Sequence, residues 1–160
     1  MFQQKTIFLV EDNDDDAELA ARAFGRAKIG GPLVRARDGA DALDYLFGRA
    51  KYVARNVSDL PAVTLLDLKL PKVSGLEVLK AIRADERTKH LPVVILTSSN
   101  DDKDRLSAYL NFANSYVLKP VDYDEFVKVA SQLVEYWTVL NAPPPRNESM
   151  KESAQRSFPG

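Results

Sequence analysis

The sequence has no cysteine and only one histidine, one tryptophan and two methionines among its 160 residues. The missing cysteines exclude disulfides, cysteine-ligated zinc, iron–sulfur clusters and thiol nucleophiles together, and they suit a reducing compartment, so the cytoplasm is the expected location. Nowhere do 18 apolar residues run together, and Met1-Phe2-Gln3-Gln4-Lys5 is not a basic start to an apolar leader, so neither a membrane span nor a signal peptide is expected. An excess of one charge is also missing: 22 basic residues stand against 23 acidic ones, a net charge of −1. No overall positive field is offered to nucleic acid, and none is expected as a partner. The single histidine, His90, precedes Leu91-Pro92 and reads as a surface loop residue.

What is present is ordinary globular composition, 45% hydrophobic and 28% charged. Four short apolar runs stand out: Thr6-Ile7-Phe8-Leu9-Val10, Val63-Thr64-Leu65-Leu66, Val93-Val94-Ile95-Leu96 and Tyr116-Val117-Leu118. They are apolar on consecutive residues, which suits parallel strands buried on both faces. Leu33-Val34-Arg35-Ala36 reads as a weaker edge strand. Between the runs, Asp14 to Lys28, Gly39 to Phe47 and Gly75 to Ala84 have helical character, and a last helix is expected from Tyr123 to Leu140. Ser74 with Glu77 forms a capping-box signature, and Asp122 with Glu125 resembles one. The alternation predicts an α/β doubly wound domain with a five-stranded parallel sheet and five helices over residues 1–140. Gly48 to Pro61 reads as an extended surface loop. Residues 141–160 hold four of the nine prolines and little that is apolar, and are expected to be a disordered tail.

The informative feature is the polar residue at the end of each run. Glu11-Asp12, Asp67, Thr97 and Lys119 stand at the ends of four strands, and parallel strands bring such residues to one edge of the sheet, where open α/β folds bind ligands. Three carboxylates gathered there repel each other and need a compensating cation. Lys119 alone is insufficient. A hard divalent ion with oxygen ligands, Mg²⁺, fits Glu11, Asp12 and Asp67, and Mg²⁺ beside a lysine and a hydroxyl is the equipment that orients a phosphoryl group. Asp14, Asp15 and Asp16 read as a solvated helix start that complements the macrodipole. An EF-hand loop beginning at Asp12 is rejected, because Ala17 and Ala23 replace its glycine and its bidentate glutamate.

The runs Ile7-Phe8-Leu9-Val10-Glu11-Asp12-Asn13, Leu65-Leu66-Asp67-Leu68-Lys69-Leu70-Pro71 with Gly75, Val94-Ile95-Leu96-Thr97-Ser98 and Tyr116-Val117-Leu118-Lys119-Pro120 resemble the receiver domain of two-component response regulators. The resemblance covers residues 5 to 140. It implies a flavodoxin-like strand order 2-1-3-4-5, with Asp67 as phospho-acceptor from a sensor histidine kinase. It further implies metal ligation by Asp12, Asp67 and the main-chain carbonyl of Lys69, with Glu11 acting through metal-bound water and Mn²⁺ as a substitute for Mg²⁺. Thr97 and Lys119 would hold the phosphoryl oxygens, Thr97 and Tyr116 would form the switch, and Lys119-Pro120 resembles the family's cis peptide.

Two rivals fail on single residues. Haloacid-dehalogenase-like phosphatases place a second aspartate two positions after the nucleophile, where this chain has Lys69, so external phosphoesters lack a proton donor. A P-loop is absent. A pseudo-receiver, a binding module that never takes phosphate, predicts loss of one of the site residues, and none is lost. No enzyme turnover is therefore expected beyond self-catalysed phosphorylation and slow autodephosphorylation, and the resemblance implies that Lys69 and Ser99 flank the path of attacking water. The Ala-rich first helix, the long loop before Pro61 and Glu135-Tyr136-Trp137 are similar to the small regulators paired with phytochrome histidine kinases. Chemotaxis-type and phosphorelay receivers remain as alternatives. Seven of the fourteen aromatic residues fall between positions 109 and 137, so the face of the fourth helix, fifth strand and fifth helix is expected to be the output and self-association surface, and the resemblance to the phytochrome-partner regulators implies that it forms a homodimer.

Overall fold

Each apolar run becomes a strand, and each polar-capped segment between them becomes a helix. The computed structural model describes residues 5–26 and 31–145. In chain order the elements are β1 (Ile7–Val10), α1 (Asp14–Arg26), β2 (Leu33–Ala36), α2 (Gly39–Phe47), β3 (Val63–Leu66), α3 (Gly75–Ala84), β4 (Val93–Thr97), α4 (Asp102–Leu110), β5 (Ser115–Leu118) and α5 (Tyr123–Glu135). The five strands form one sheet in the order β2-β1-β3-β4-β5, every pair parallel. The flavodoxin-like doubly wound expectation is met.

Consecutive apolar residues in β1, β3 and β4 are explained by two cores, one on each face of the sheet. Phe8, Val10, Leu66, Val93 and Ile95 face α2, α3 and α4, packing on Leu46, Val78, Leu79, Ile82 and Ala108. Ile7, Leu9, Leu65, Val94 and Leu96 face α1 and α5, packing on Ala20, Ala23, Phe24, Phe126, Ala130 and Val134. Each of the larger side chains, Val, Leu, Ile or Phe, contributes about 1.5–3 kcal/mol when fully buried. β5 departs from the sequence expectation: at the sheet edge it is only half-buried, and Leu118 is exposed.

Local chemistry fixes the helix starts. Ser74 and Glu77 complete a reciprocal capping box on α3, Asp38 accepts from the Asp41 amide on α2, and Asp122 accepts from the Glu125 amide on α5. Such caps contribute about 1 kcal/mol each. The last helix does not stay α-helical to Leu140. From Tyr136 to Leu140 it widens to a π-helical turn, where the Thr138 hydroxyl donates back to the Val134 carbonyl at 2.6 Å and Lys5 Nζ donates to the Thr138 carbonyl at 2.6 Å. The Gly48–Pro61 connection is folded onto α2. It contains a 3-10 turn at Ala50–Tyr52, the Tyr52 hydroxyl donates to Asp41 at 2.9 Å, and the Arg55 guanidinium lies 4.1 Å from the Tyr45 ring centroid. No described helix is long and apolar enough to cross a membrane. The end expected for the first helix, Lys28, and most of the expected tail, 146–160, lie outside the described residues.

Candidate functional site

The carboxyl ends of β1, β3, β4 and β5 meet in one acidic depression. Ladder-type hydrogen bonds run past the strands and hold the chain there: the Glu11 amide donates to the Ala36 carbonyl at 3.1 Å, the Asp67 amide to Val10 at 3.2 Å and the Lys119 amide to Thr97 at 2.8 Å. Glu11, Asp12 and Asp67 each bring a carboxylate oxygen within 4.8 Å of the others. Lys119 projects among them. Its ammonium donates to Glu11 Oε1 and, at 3.2 Å, to Asp67 Oδ2, with Asp16 Oδ2 at 3.9 Å.

Gly75 makes this packing possible. A Cβ at that position would lie 2.1 Å from the Asp67 carbonyl oxygen, so only glycine lets the start of α3 approach the β3 end. The Gly75 amide donates to the Leu68 carbonyl at 2.9 Å.

Charge balance in the depression is incomplete. Burial pushes the Glu11 carboxyl above its ordinary value of 4.5, and the neighbouring Asp67 charge adds to this, while the Lys119 hydrogen bond and charge work against it. Burial also acts to lower the Lys119 ammonium, but the hydrogen bond to Glu11 and the charges of Asp67 and Glu11 hold it above 10.5. One ammonium therefore serves a buried Glu11, which is 2% exposed, and two further carboxylates. That donor set, all oxygen and short of positive charge, fits a hard divalent cation.

Of the sequence-predicted residues, Glu11, Asp12, Asp67 and Lys119 are brought together. Lys69 lies next on the β3–α3 loop with its side chain exposed and its amide 3.4 Å from Asp67 Oδ1. Thr97 is buried at the end of β4, and its hydroxyl accepts from the Ser99 amide at 3.3 Å. The Ser99 hydroxyl donates to Asp104 at 2.6 Å, and the Ser99 carbonyl accepts from the Tyr116 hydroxyl at 2.9 Å. Tyr116 packs with the α2, α3 and α4 face, half-buried, and Arg105 lies over its ring at 5.6 Å. One expectation is corrected: the Lys119–Pro120 bond is trans. Lys119 is aimed instead by its amide bond to Thr97 and by the two carboxylates that accept from its ammonium.

Two contributors went unread in the sequence. Asp16, assigned to the helix start, also faces Lys119. Arg35, the one charged residue of β2, donates to the Glu11 and Asp12 carbonyls and pairs with Asp14 at 2.8 Å, holding the Asp14 carboxyl below its ordinary value. Its signal was a lone arginine in an otherwise apolar strand.

Comparison with known proteins places this geometry. The family model of the response regulator receiver domain matches residues 7–131. The chain belongs to that family. Among curated relatives of this receiver, the probable methanogenesis regulatory protein FilR2 of Methanothrix harundinacea is 43% identical over 86% of each chain. Among solved structures, the phosphorylated cyanobacterial phytochrome response regulator RcpA is 33% identical, with a TM-score of 0.82, over 89% of this chain and all of that one. The bacteriophytochrome response regulator AtBRR is 43% identical, with a TM-score of 0.71, over 88% of this chain and all of that one. The Mn²⁺-bound form of response regulator Rcp1 is 31% identical, with a TM-score of 0.80, over 88% of this chain and 99% of that one. The receiver is thus related to phytochrome response regulators.

Proposed function

We propose that this receiver is a phospho-switch in which Asp67 accepts a phosphoryl group from a phosphohistidine of a sensor histidine kinase. The observation that carries the reading is the Lys119 ammonium lodged between Glu11 and Asp67, with Asp12 beside them. As an Asp67 oxygen bonds to phosphorus, the phosphorus–nitrogen bond of the donor breaks and imidazole leaves. Glu11, Asp12, Asp67 and the Lys69 carbonyl would hold Mg²⁺, or Mn²⁺ in its place, and the cation supplies charge neutralisation at the phosphoryl oxygens. Lys119 offsets part of the added charge and Thr97 offers a hydroxyl to a phosphoryl oxygen. Asp67→Asn tests the assignment: labelling by radioactive acetyl phosphate with Mg²⁺ should vanish, and undiminished labelling rejects Asp67.

The kinase docks on α1 and the loop after Lys119, because it must reach Asp67. A cleft of about 510 Å³ lined by Leu19, Arg22, Gly25, Arg26 and Tyr123 lies there, and Val121 is fully exposed. The likeness to RcpA and AtBRR favours a phytochrome kinase as the input, and the reading places the exchange in the cytoplasm. The equal identity to FilR2 supports a second reading, a kinase with a different sensor. Phosphotransfer from a purified bacteriophytochrome kinase, well ahead of that from a chemotaxis kinase, supports the first reading; equal rates reject it. Output and homodimer formation use α4, β5 and α5, where Leu106, Tyr109 and Leu110 of α4 are exposed, as is Phe112 in the turn that follows, at 71%.

A further inference from the structure

We propose that Arg35 is the positioning residue of the acidic site: its guanidinium fixes the peptide planes from which Glu11 and Asp12 project, and so sets the geometry in which their carboxylates take a divalent cation. The inference rests on the reading of Glu11, Asp12 and Asp67 as a cation site.

The connection from β1 to α1 has three residues, Glu11, Asp12 and Asn13. Every main-chain carbonyl in it is committed. The Glu11 carbonyl accepts from Arg35 Nε at 3.0 Å and Nη2 at 2.9 Å, the Asp12 carbonyl accepts from Nη2 at 3.3 Å, and the Asn13 carbonyl accepts from the Ala17 amide at 2.9 Å at the start of α1. Arg35 is itself held at its root. It pairs with Leu9 in the β1–β2 ladder, so the fork stands on a strand and reaches over the loop from the side. Its remaining arm, Nη1, is tied to Asp14 at 2.8 Å, and the side chain is 23% exposed.

A guanidinium suits this task because its donors lie in one rigid plane and reach two carbonyls at once. A lysine ammonium carries the same charge without the fork. Two roles for Arg35 therefore predict opposite results. If only its charge mattered, it would repel an incoming cation, so a neutral residue would tighten metal binding and lysine would leave it unchanged. If the fork matters, both substitutions loosen the loop and weaken binding.

Calorimetric titration of Mg²⁺ and of Mn²⁺ into the full chain decides between these roles, comparing wild type with Arg35→Lys and Arg35→Gln. Melting in EDTA checks that each variant is folded. Both variants should bind about tenfold more weakly, the scale on which groups that orient metal ligands act. The Mg²⁺ concentration for half-maximal acetyl phosphate labelling should rise by the same factor, with the rate at saturating Mg²⁺ close to wild type. Wild-type affinity in Arg35→Lys, or tighter binding in Arg35→Gln, overturns the proposal. A measurement on unaltered protein stands beside these: the Arg35 Nε–H resonance should be protected from solvent exchange and should shift on Mg²⁺ addition, and an unprotected, unshifted signal overturns it too. Wild type that binds neither ion removes the cation site itself, a result distinct from a variant that binds as well as wild type.

Discussion

The Tyr116 hydroxyl on β5 donates to the Ser99 carbonyl at 2.9 Å, and the Ser99 amide donates to the Thr97 hydroxyl at 3.3 Å, so one residue of the β4–α4 loop joins the buried threonine to the aromatic ring. Thr97→Ala removes the acceptor on one side of Ser99 and Tyr116→Phe removes the donor on the other. The two effects on unfolding free energy should be non-additive by at least about 0.5 kcal/mol in a double-mutant cycle. Strict additivity would show that Ser99 transmits nothing between them.

Glu11 sets the pH behaviour of the site. Its carboxyl is raised above 4.5 in the folded chain, chiefly by burial, so the folded state binds that proton more tightly than the unfolded state does. The resulting stability is fully present below pH 4.5 and is lost as pH rises through the raised value. A divalent cation needs the ionised carboxylate and acts in the opposite direction. The rise in melting temperature produced by MgCl₂ should be larger at neutral pH than at about pH 5. An equal or larger rise at the lower pH contradicts this. Lys119, raised above 10.5, contributes stability below that value and loses it as pH climbs beyond its folded-state value.

Thr64 lies fully buried in β3, and its hydroxyl has no hydrogen-bond partner among the described residues. Valine has the same shape without the polar atom. Thr64→Val should raise the unfolding free energy by about 1 kcal/mol, measured by urea denaturation. A loss of stability would mean that the hydroxyl is satisfied in solution.

The proposed dimer surface can be broken without touching the acidic depression. Leu106 and Phe112 are exposed at 60% and 71%, so aspartate at both positions costs the fold little. Sedimentation of the wild type with acetyl phosphate and Mg²⁺ should show dimers, and the Leu106→Asp, Phe112→Asp variant should remain monomeric. A monomeric wild type, or a variant that dimerises equally well, excludes this face.

The strand ends were legible in the sequence because a parallel sheet converts position along each strand into position along one edge. Glu11, Asp67 and Lys119 follow from that rule alone. The caps at Ser74 and Asp122 were legible for a different reason, since they act within four residues of themselves. Arg35 was not, because its partners lie 23 and 24 residues away and an apolar-pattern reading treats it as an interruption of β2. The π-helical turn at Tyr136–Leu140 was invisible likewise: the Lys5 side chain that takes the Thr138 carbonyl comes from the other end of the chain. The trans bond before Pro120 was misjudged because the resemblance, and nothing in the residues, suggested otherwise. Of the aromatic cluster, Phe126 is core, whereas Tyr109, Phe112 and Tyr136 are exposed: Phe126 lies on the face of α5 that meets the sheet, Tyr109 on the outer face of α4, Phe112 in the turn after α4 and Tyr136 at the start of the π-helical turn.

Ala108 is the one fully buried residue of α4, whereas α3 buries Gly75, Val78, Leu79 and Ile82, and α1 buries Ala17, Ala20, Ala23 and Phe24. A single methyl seated in the sheet is a shallow anchor, on the order of 1 kcal/mol. The helix bearing the exposed Leu106, Tyr109 and Leu110 is therefore the least firmly anchored of the three, and under the proposed switch its displacement would cost little more than the exchange of one hydrogen bond such as that at Ser99.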